Sequence, residues 1–269
     1  MEGLLLNELA WDATFPHRVA PLSDEWLAGL LLRCDEVNHW GSRTTLTHVL
    51  HPGPEKFHRG WRTTTSNLVV LQPSSFNLEY LAQHLGVSPD VLLATTYHLE
   101  LARLYGTTRL HPKFLSETSP FRLCPQCIAE ARLLRRTLAL PQITSCLQHA
   151  ILLQKQCQCR TPLQLFHRKT RPFTCHICGR DWAELPRIEA LPPKRAWEQS
   201  LLTWYEFFFS RGTPLLLQAA LRLMTGSMRK RLSLSDLVVL LVQRGRSTQD
   251  VLSWMDRMDR LKAKSKRPS

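Results

Sequence analysis

Four closely spaced pairs of potential metal ligands lie within 55 residues and constrain the fold more than any other feature of the chain. The pairs are Cys124–Cys127, Cys146–His149, Cys157–Cys159 and Cys175–Cys178. Zinc in structural sites takes four Cys or His ligands in tetrahedral geometry, and two short knuckles joined by a longer loop supply them. The spacing predicts two zinc ions per chain, one held by three cysteines and a histidine and the other by four cysteines.

The assignment of these pairs to two sites leaves alternatives open. Sequential pairing is the simplest, but an interleaved pairing would join the first and third pairs at one metal. The gap in Cys157–Cys159 is a single residue, so His176 could replace a neighbouring ligand. Because either scheme gives each ion four protein ligands, no position is left for a catalytic water, and we interpret both sites as structural.

Charge and composition restrict the class of protein. The chain has 269 residues, 43% of them hydrophobic, and a formal net charge of +13. Residues 103–180 contain thirteen Lys or Arg residues and two acids, a balance that suits a polyanion such as nucleic acid. No apolar run reaches membrane-spanning length, and the first residues lack the charge and cleavage pattern of a signal peptide. We therefore expect a bacterial cytoplasmic protein with no membrane partner, in which reduced thiols bind metal.

Helical periodicity dominates the chain on both sides of the cysteines. We predict a mainly α protein with small zinc-stabilised β-knuckles, made of two or three small modules. The predicted parts are an N-terminal segment (1–75), a helix-turn-helix-like region (76–115), tandem zinc fingers (116–185), a Pro-rich linker (186–195) and a C-terminal helical region (196–269). The last region has a second helix-turn-helix outline and a basic tail.

The first helix-turn-helix pattern has clear boundary signals. Gly86 ends one helix, Ser88 can cap the next, and Pro89 takes its first position. The second helix, SPDVLLATTYHLE, has no Lys or Arg, whereas helices that read the major groove present Arg, Asn or Gln. Base reading through residues 95–98 and simple packing in a helical core both stay open.

Two basic clusters are candidate nucleic-acid contacts. The first follows the first knuckle at helical spacing, and the second lies in the loop of the second predicted zinc site; a solvated surface is the alternative for each. Their members are Arg132, Arg135 and Arg136, and Arg168, Lys169 and Arg171.

One enzyme class has to be considered. His98 and Glu100 form an H-x-E sequence ahead of Cys124–Cys127, which is similar to the zinc nucleobase deaminase signature. That signature has Pro where this chain has Leu123, and it would leave Cys146 and His149 without a metal. We keep the deaminase as a remote alternative and expect no catalytic activity, since no other acid–base pair is evident.

Several segments, in order, resemble the TniQ/TnsD family of transposon target-selection proteins. They are PLSDEWLAGLLLRC, FRLCPQCIAEA, ALPQITSCLQHAILLQKQCQC and FTCHICGRDW, and the resemblance covers roughly residues 16–185. The ordered Cys/His string is its most specific part. The single-residue gap in Cys157–Cys159 departs from the family's usual knuckle.

The resemblance implies a non-catalytic adaptor that connects a target-recognition machine to the AAA+ regulator TnsC. Shorter members of the family work with CRISPR effectors, either Cascade or a single-effector Cas protein with its guide RNA, and longer members read an attachment site in DNA. At this length we expect the RNA-guided class; a TnsD-like attachment-site reader and a plain DNA-binding regulator are the alternatives. Trp11, Phe15 and Trp26 would contact TnsC, although Trp26 fits a core position equally well. A homodimer is left open.

Overall fold

The computed structural model describes residues 15–49, 76–108, 121–167, 170–225 and 232–265. Over these ranges the chain forms ten α-helices, two 3₁₀ helices and one two-stranded antiparallel sheet. Both strands lie in the cysteine-rich segment, where two clusters of Cys and His side chains form. The predicted fold class, mainly α with small β-knuckles suited to zinc, is confirmed.

Within the described residues, five helices precede the four cysteine and histidine pairs. They are α1 (Leu27–Val37), α2 (Thr44–Val49), α3 (Leu78–Leu85), α4 (Pro89–Leu93) and α5 (His98–Tyr105). Helix α2 packs against α1 and α3, and α3 packs against α4.

The cysteine-rich segment and the C-terminal part follow. They contain α6 (Pro125–Ala131), the strands β1 (Ser145–Cys146) and β2 (Ile151–Leu152), and then α7 (Pro192–Arg211), α8 (Pro214–Thr225), α9 (Leu234–Gln243) and α10 (Thr248–Ser265). The two 3₁₀ helices are Arg136–Ala139 and Trp182–Glu184, and the second packs against α6.

The helix-turn-helix region has the predicted signals, but its second helix is divided. Gly86 adopts the left-handed conformation (φ +71°) that ends α3, and the Ser88 side chain caps α4 by accepting from the backbone N–H of Val91. The sequence SPDVLLATTYHLE then forms α4 and α5 with a break between them. The hydroxyls of Thr95 and Thr96 donate to backbone carbonyls three residues earlier, which competes with helix continuation.

Helix α1 lies directly on the chain that follows the first cysteine pair. The Trp26 N–H donates to the Leu134 carbonyl at 2.8 Å, and the Arg136 N–H donates to the Asp24 carbonyl at 2.7 Å. A Cβ at Gly29 would lie only 2.9 Å from the Leu134 Cβ, so glycine is needed for this close approach. The N-terminal helices and the cysteine-rich segment therefore share one core.

The C-terminal helices pack on α5. Helix α7 contacts α5 and α9, and α8 contacts α5, α9 and α10. Helix α7 begins at Pro192, inside the segment predicted as a linker, because two prolines fit the first turn of a helix. Ser233 and Asp236 form a complete capping box at α9. Among the described helices, none combines the length and the apolar character needed to cross a bilayer.

A buried carboxylate lies between α1 and α2. Asp35 is fully buried, and its Oδ1 accepts from the N–H and the hydroxyl of Thr45, both at 2.7 Å. Its Oδ2 has no hydrogen-bond partner among the described residues. Burial raises the pKa of Asp35 to about 7, so the native state binds a proton here more tightly than the unfolded chain does.

We predict that this carboxyl makes the protein less stable as the pH rises. The contribution of the protonated Asp35 carboxyl to the free energy of unfolding is fully present below its unfolded-state pKa near 3.8. It is lost as the pH rises through its folded-state pKa of about 7. Relative to Asp35→Asn, the parent should lose roughly 2 kcal/mol of unfolding free energy between pH 5 and pH 8. Denaturant unfolding of both proteins at fixed metal concentration measures this; identical pH dependence would contradict it.

Candidate metal centres

The first centre gathers donors from helix α6 and the β1–β2 hairpin. Cys124, Cys127, Cys146 and His149 place one ligand atom each within 4.8 Å of the others. The Cys127 and Cys146 sulfurs are 3.8 Å apart, and the His149 Nδ1 lies 3.3–3.5 Å from the three sulfurs. Tetrahedral zinc with bonds of about 2.3 Å to sulfur and about 2.0 Å to nitrogen requires separations of roughly 3.5–3.8 Å. The donors therefore fit a zinc ion.

Local backbone conformation explains why these donors converge. Cys124 precedes α6 and its Sγ accepts from the Cys127 N–H at 3.4 Å, while Pro125 starts the helix. The chain turns sharply after this helix and after the hairpin ligand, with left-handed residues at Arg132 (φ +52°) and Ala150 (φ +56°). Each knuckle thus directs its pair of donors to one point.

Side chains outside the ligand set orient the first centre. The His149 Nε2 lies 3.0 Å from Glu130 Oε2, and Glu130 Oε1 accepts from Gln126 at 2.8 Å. The Gln126 hydrogen bond, followed by His149, lowers the pKa of Glu130 and keeps it anionic. The Arg135 Nε–H donates to the Cys127 sulfur at 3.4 Å. A carboxylate such as Glu130, bonded to the second ring nitrogen, fixes the tautomer of a ligating histidine and raises its basicity.

Helix α7 holds the hairpin of the first centre through one carboxylate. Glu198 is fully buried, and its two oxygens accept from the N–H and the hydroxyl of Thr144 and of Ser145. Ser145 directly precedes the ligand Cys146. Neither Glu198 nor Glu130 was predicted from the sequence. For Glu130 the signal was its position one turn after Cys127 on the same helix; for Glu198 no local signal exists.

The second centre is formed by two short hairpins. Cys157, Cys159, Cys175 and Cys178 bring their sulfurs within 4.8 Å of one another, with 3.5 Å between Cys157 and Cys178 and 3.6 Å between Cys159 and Cys175. The single-residue gap therefore still brings both cysteines of its pair into the cluster. The four ligand pairs group in sequence order, not interleaved. His176 lies outside the cluster and its ring stacks on His167.

The two centres differ in exposure. The three cysteines of the first are at most 2% exposed, whereas Cys159 and Cys178 of the second are exposed. In each cluster neighbouring groups favour one ionised sulfur, the form that binds metal. Hydrogen bonds from Cys124 and Cys127 lower the pKa of Cys146, and a hydrogen bond with Thr161 lowers that of Cys159.

Arginines of the first basic cluster have intramolecular partners. Arg132 forms a bidentate pair with Asp181 at 2.6 and 2.7 Å and lies 3.2 Å from Glu36. Arg135 contacts the Cys127 sulfur and, at 3.8 Å, Asp24.

Arg136 connects the first knuckle to the break between α4 and α5. It donates to the carbonyls of Ala94 and Thr96 and to Glu100 Oε1 at 2.8 Å. In the second cluster, Arg171 is exposed, and Arg168 and Lys169 lie outside the described residues. The assignment of all six residues to nucleic acid stays a prediction.

The aromatic residues predicted to contact a partner lie in the interior where the structure describes them. Phe15 and Trp26 are each 3% exposed; Phe15 packs on Trp40, and Trp26 lies beside Phe121. Such burial argues against direct partner contact. Trp11 lies outside the described residues.

The geometry also disfavours the deaminase arrangement. Its predicted metal ligand His98 is buried at the start of α5 and is not one of the four donors gathered around Cys124 and Cys127. Its predicted acid, Glu100, pairs with Arg136.

Comparison with known proteins gives one family. The TniQ family model matches residues 16–153, slightly more than half of the chain. This range contains the N-terminal helices and the whole first centre, and it ends after β2. The search of curated proteins found no match.

We predict that Glu130 strengthens metal binding at the first centre only. Replacing Glu130 by Gln removes the negative partner of His149 and should weaken zinc binding there by about 10–100-fold. Titration with a competing chelator should then show one tight equivalent instead of two. The control is Glu184→Gln, which removes an exposed carboxylate that contacts no ligand; equal losses in both variants would contradict the prediction.

We further predict that chelation opens the second centre first, because two of its sulfurs are exposed. Under limiting EDTA, iodoacetamide should alkylate Cys159 and Cys178 before Cys124, Cys127 and Cys146, as followed by peptide mass spectrometry. Simultaneous labelling of both groups would refute this order.

Proposed function

The chain belongs to the TniQ family of transposition target-selection proteins, and we propose that it is a non-catalytic adaptor. In this proposal it links an RNA-guided CRISPR effector on target DNA to the AAA+ regulator TnsC. The effector is Cascade or a single-effector Cas protein carrying its guide RNA.

Two structural zinc ions are part of this proposal. Cys124, Cys127, Cys146 and His149 would hold one ion, and Cys157, Cys159, Cys175 and Cys178 the other. Catalytic zinc keeps a coordination position open for water or substrate, whereas each cluster here offers four protein donors. The metals would therefore supply rigidity, which suits an adaptor that must hold two binding faces in a fixed relation.

The surface of α4 and α5 is the observation that favours an adaptor over a direct reader of DNA sequence. Residues 95–98, the polar group that could have reached bases, are at most 5% exposed. Within residues 88–99 the exposed positions are Ser88, Pro89, Asp90, Val91, Ala94 and Leu99, and none of them is the Arg, Asn or Gln that recognises bases in the major groove. Arg103, exposed further along α5, donates to the Phe209 carbonyl.

A TnsD-like reader of an attachment site is the second candidate, and one observation favours it. The turn between α9 and α10 exposes Arg244 and Arg246 within the second helix-turn-helix outline. If the second helix-turn-helix outline binds DNA, these arginines would contact it.

Reconstitution distinguishes the two candidates. For the adaptor, the full-length protein should co-purify with TnsC and with a guide-loaded effector and should join them on target DNA, while alone it protects no DNA site. Effector without guide RNA is the matched control and should not recruit TnsC to DNA. Protection of one defined site by the isolated protein, without any effector, would instead establish the attachment-site reader.

A further inference from the structure

The cations of the second centre differ from those of the first. The arginines after the first knuckle are occupied by Asp181, Cys127, Glu100 and backbone carbonyls. Lys155, Arg160 and Arg171 are exposed, and within the described part of the chain their side chains have no partner. Arg180, also exposed, has one exposed partner, Glu184 at 3.6 Å.

These four cations lie on the two hairpins of the second centre. In the first hairpin the Leu163 N–H donates to the Lys155 carbonyl at 3.0 Å, and Arg160 follows the ligand Cys159 at the tip. In the second, the Cys175 N–H donates to the Arg180 carbonyl at 2.8 Å, and Arg171 stands where the chain enters the hairpin. Sulfur contacts of 3.5 and 3.6 Å hold the hairpins side by side, so the four exposed cations lie on one small unit.

Arg160 occupies a position that favours glycine. Its φ is +65°, and the equivalent residue after the last ligand of the second hairpin is Gly179 at φ +72°. A residue with a Cβ is less stable than glycine in this conformation. Ala150, which follows the ligand His149, is left-handed as well (φ +56°), so this conformation belongs to the turn and does not by itself assign a role to the side chain. What distinguishes Arg160 is an exposed guanidinium with no partner among the described residues.

We propose that this second-centre face (Lys155, Arg160, Arg171 and Arg180) binds the phosphodiester backbone of a nucleic acid. The inference deepens the proposed function and rests on it. Arg and Lys side chains neutralise phosphates and release counterions, which gives sequence-independent affinity. An adaptor that receives its target from a guide RNA needs contact of this kind.

A nucleic acid fits this face better than an acidic protein. Protein interfaces depend on large anchors, most often aromatic, but the aromatic residues Phe173 and Trp182 on either side of the second hairpin turn are each 1% exposed. Ile177 in that turn is 68% exposed, but it is not aromatic and lies among the cations. A second role for the cations is to balance the centre itself, because four thiolates with one Zn²⁺ carry a charge of −2. Zinc content separates that role from nucleic-acid binding.

The test uses the full chain with zinc bound and the triple variant Lys155→Gln, Arg160→Gly, Arg171→Gln. Glycine at position 160 relieves the left-handed conformation, so folding is retained. Fluorescence anisotropy with a random 24-base-pair DNA duplex and with a single-stranded RNA of the same length is recorded across a potassium chloride series. If each cation meets one phosphate, the slope of log K against log salt should fall in magnitude by about 3 on duplex DNA or by about 2 on RNA.

The control triple, Arg18→Gln, Lys194→Gln, Arg211→Gln, removes the same charge from exposed positions elsewhere and should leave the slope close to that of the parent. If the magnitude of the slope falls on DNA but not on RNA, the second-centre face binds target DNA. If it falls on RNA but not on DNA, the face binds guide RNA. Equal losses in both triples, unchanged slopes, or loss of zinc from the first triple would overturn the proposal. So would unchanged slopes with lost effector or TnsC binding, which would indicate an acidic protein.

Failure of the adaptor proposal can be distinguished from failure of the phosphate-binding proposal. Co-purification of the parent with TnsC and effector tests that role without reference to these residues. A parent that binds neither partner, but whose slope falls only in the first triple, would refute the adaptor and leave the phosphate-binding face supported.

Discussion

The convergence of four donors at the first centre is the constraint on which the rest of the structure depends. Cys124 and Cys127 fix the start of α6, and Cys146 and His149 fix the β1–β2 hairpin against it. The chain that leaves this centre then becomes the surface on which α1 rests, through Leu134 and Arg136. Helix α1 therefore takes its position from residues more than one hundred positions later in the sequence.

Charged side chains make further connections between the elements around the first centre. Arg132 reaches Asp181 beside the second centre, Arg136 reaches Glu100 on α5, and Glu198 on α7 holds Thr144 and Ser145. Each connection is made by hydrogen bonds to charged groups, as buried or half-buried charges require; of these carboxylates, Glu100 keeps one buried oxygen, Oε2, without a partner among the described residues. Removing one partner would leave the other uncompensated, so the pairs specify a single arrangement of the modules as well as stabilising it.

This pattern explains how far the sequence alone could lead. Ligand pairs and caps depend on neighbours within a few residues, so the spacing of Cys124–Cys127, the cap at Ser88 and the left-handed Gly86 were all predictable. The partners of Arg132 and Arg136 lie 49 and 36 residues away, and nothing local distinguishes such arginines from a solvated surface. The same holds for the burial of Phe15 and Trp26, which tertiary packing decides. The break after α4 has both causes: the local hydroxyl bonds of Thr95 and Thr96, and the distant Arg136 that donates to the carbonyls of Ala94 and Thr96.

The two centres differ in burial and in the contacts of the charged residues around them. The first centre is buried, and the charged residues around it pair with residues of other elements of the fold. Substitutions there would therefore disturb several elements at once. The second joins two short hairpins through its sulfurs, and a metal there would add to the small core that Leu163, Phe173 and Trp182 supply. The family match ends at residue 153, between the centres. It therefore includes the centre that positions the helices and stops short of residues 155–180, so the phosphate binding that we propose for the second-centre face is separate from the matched family segment.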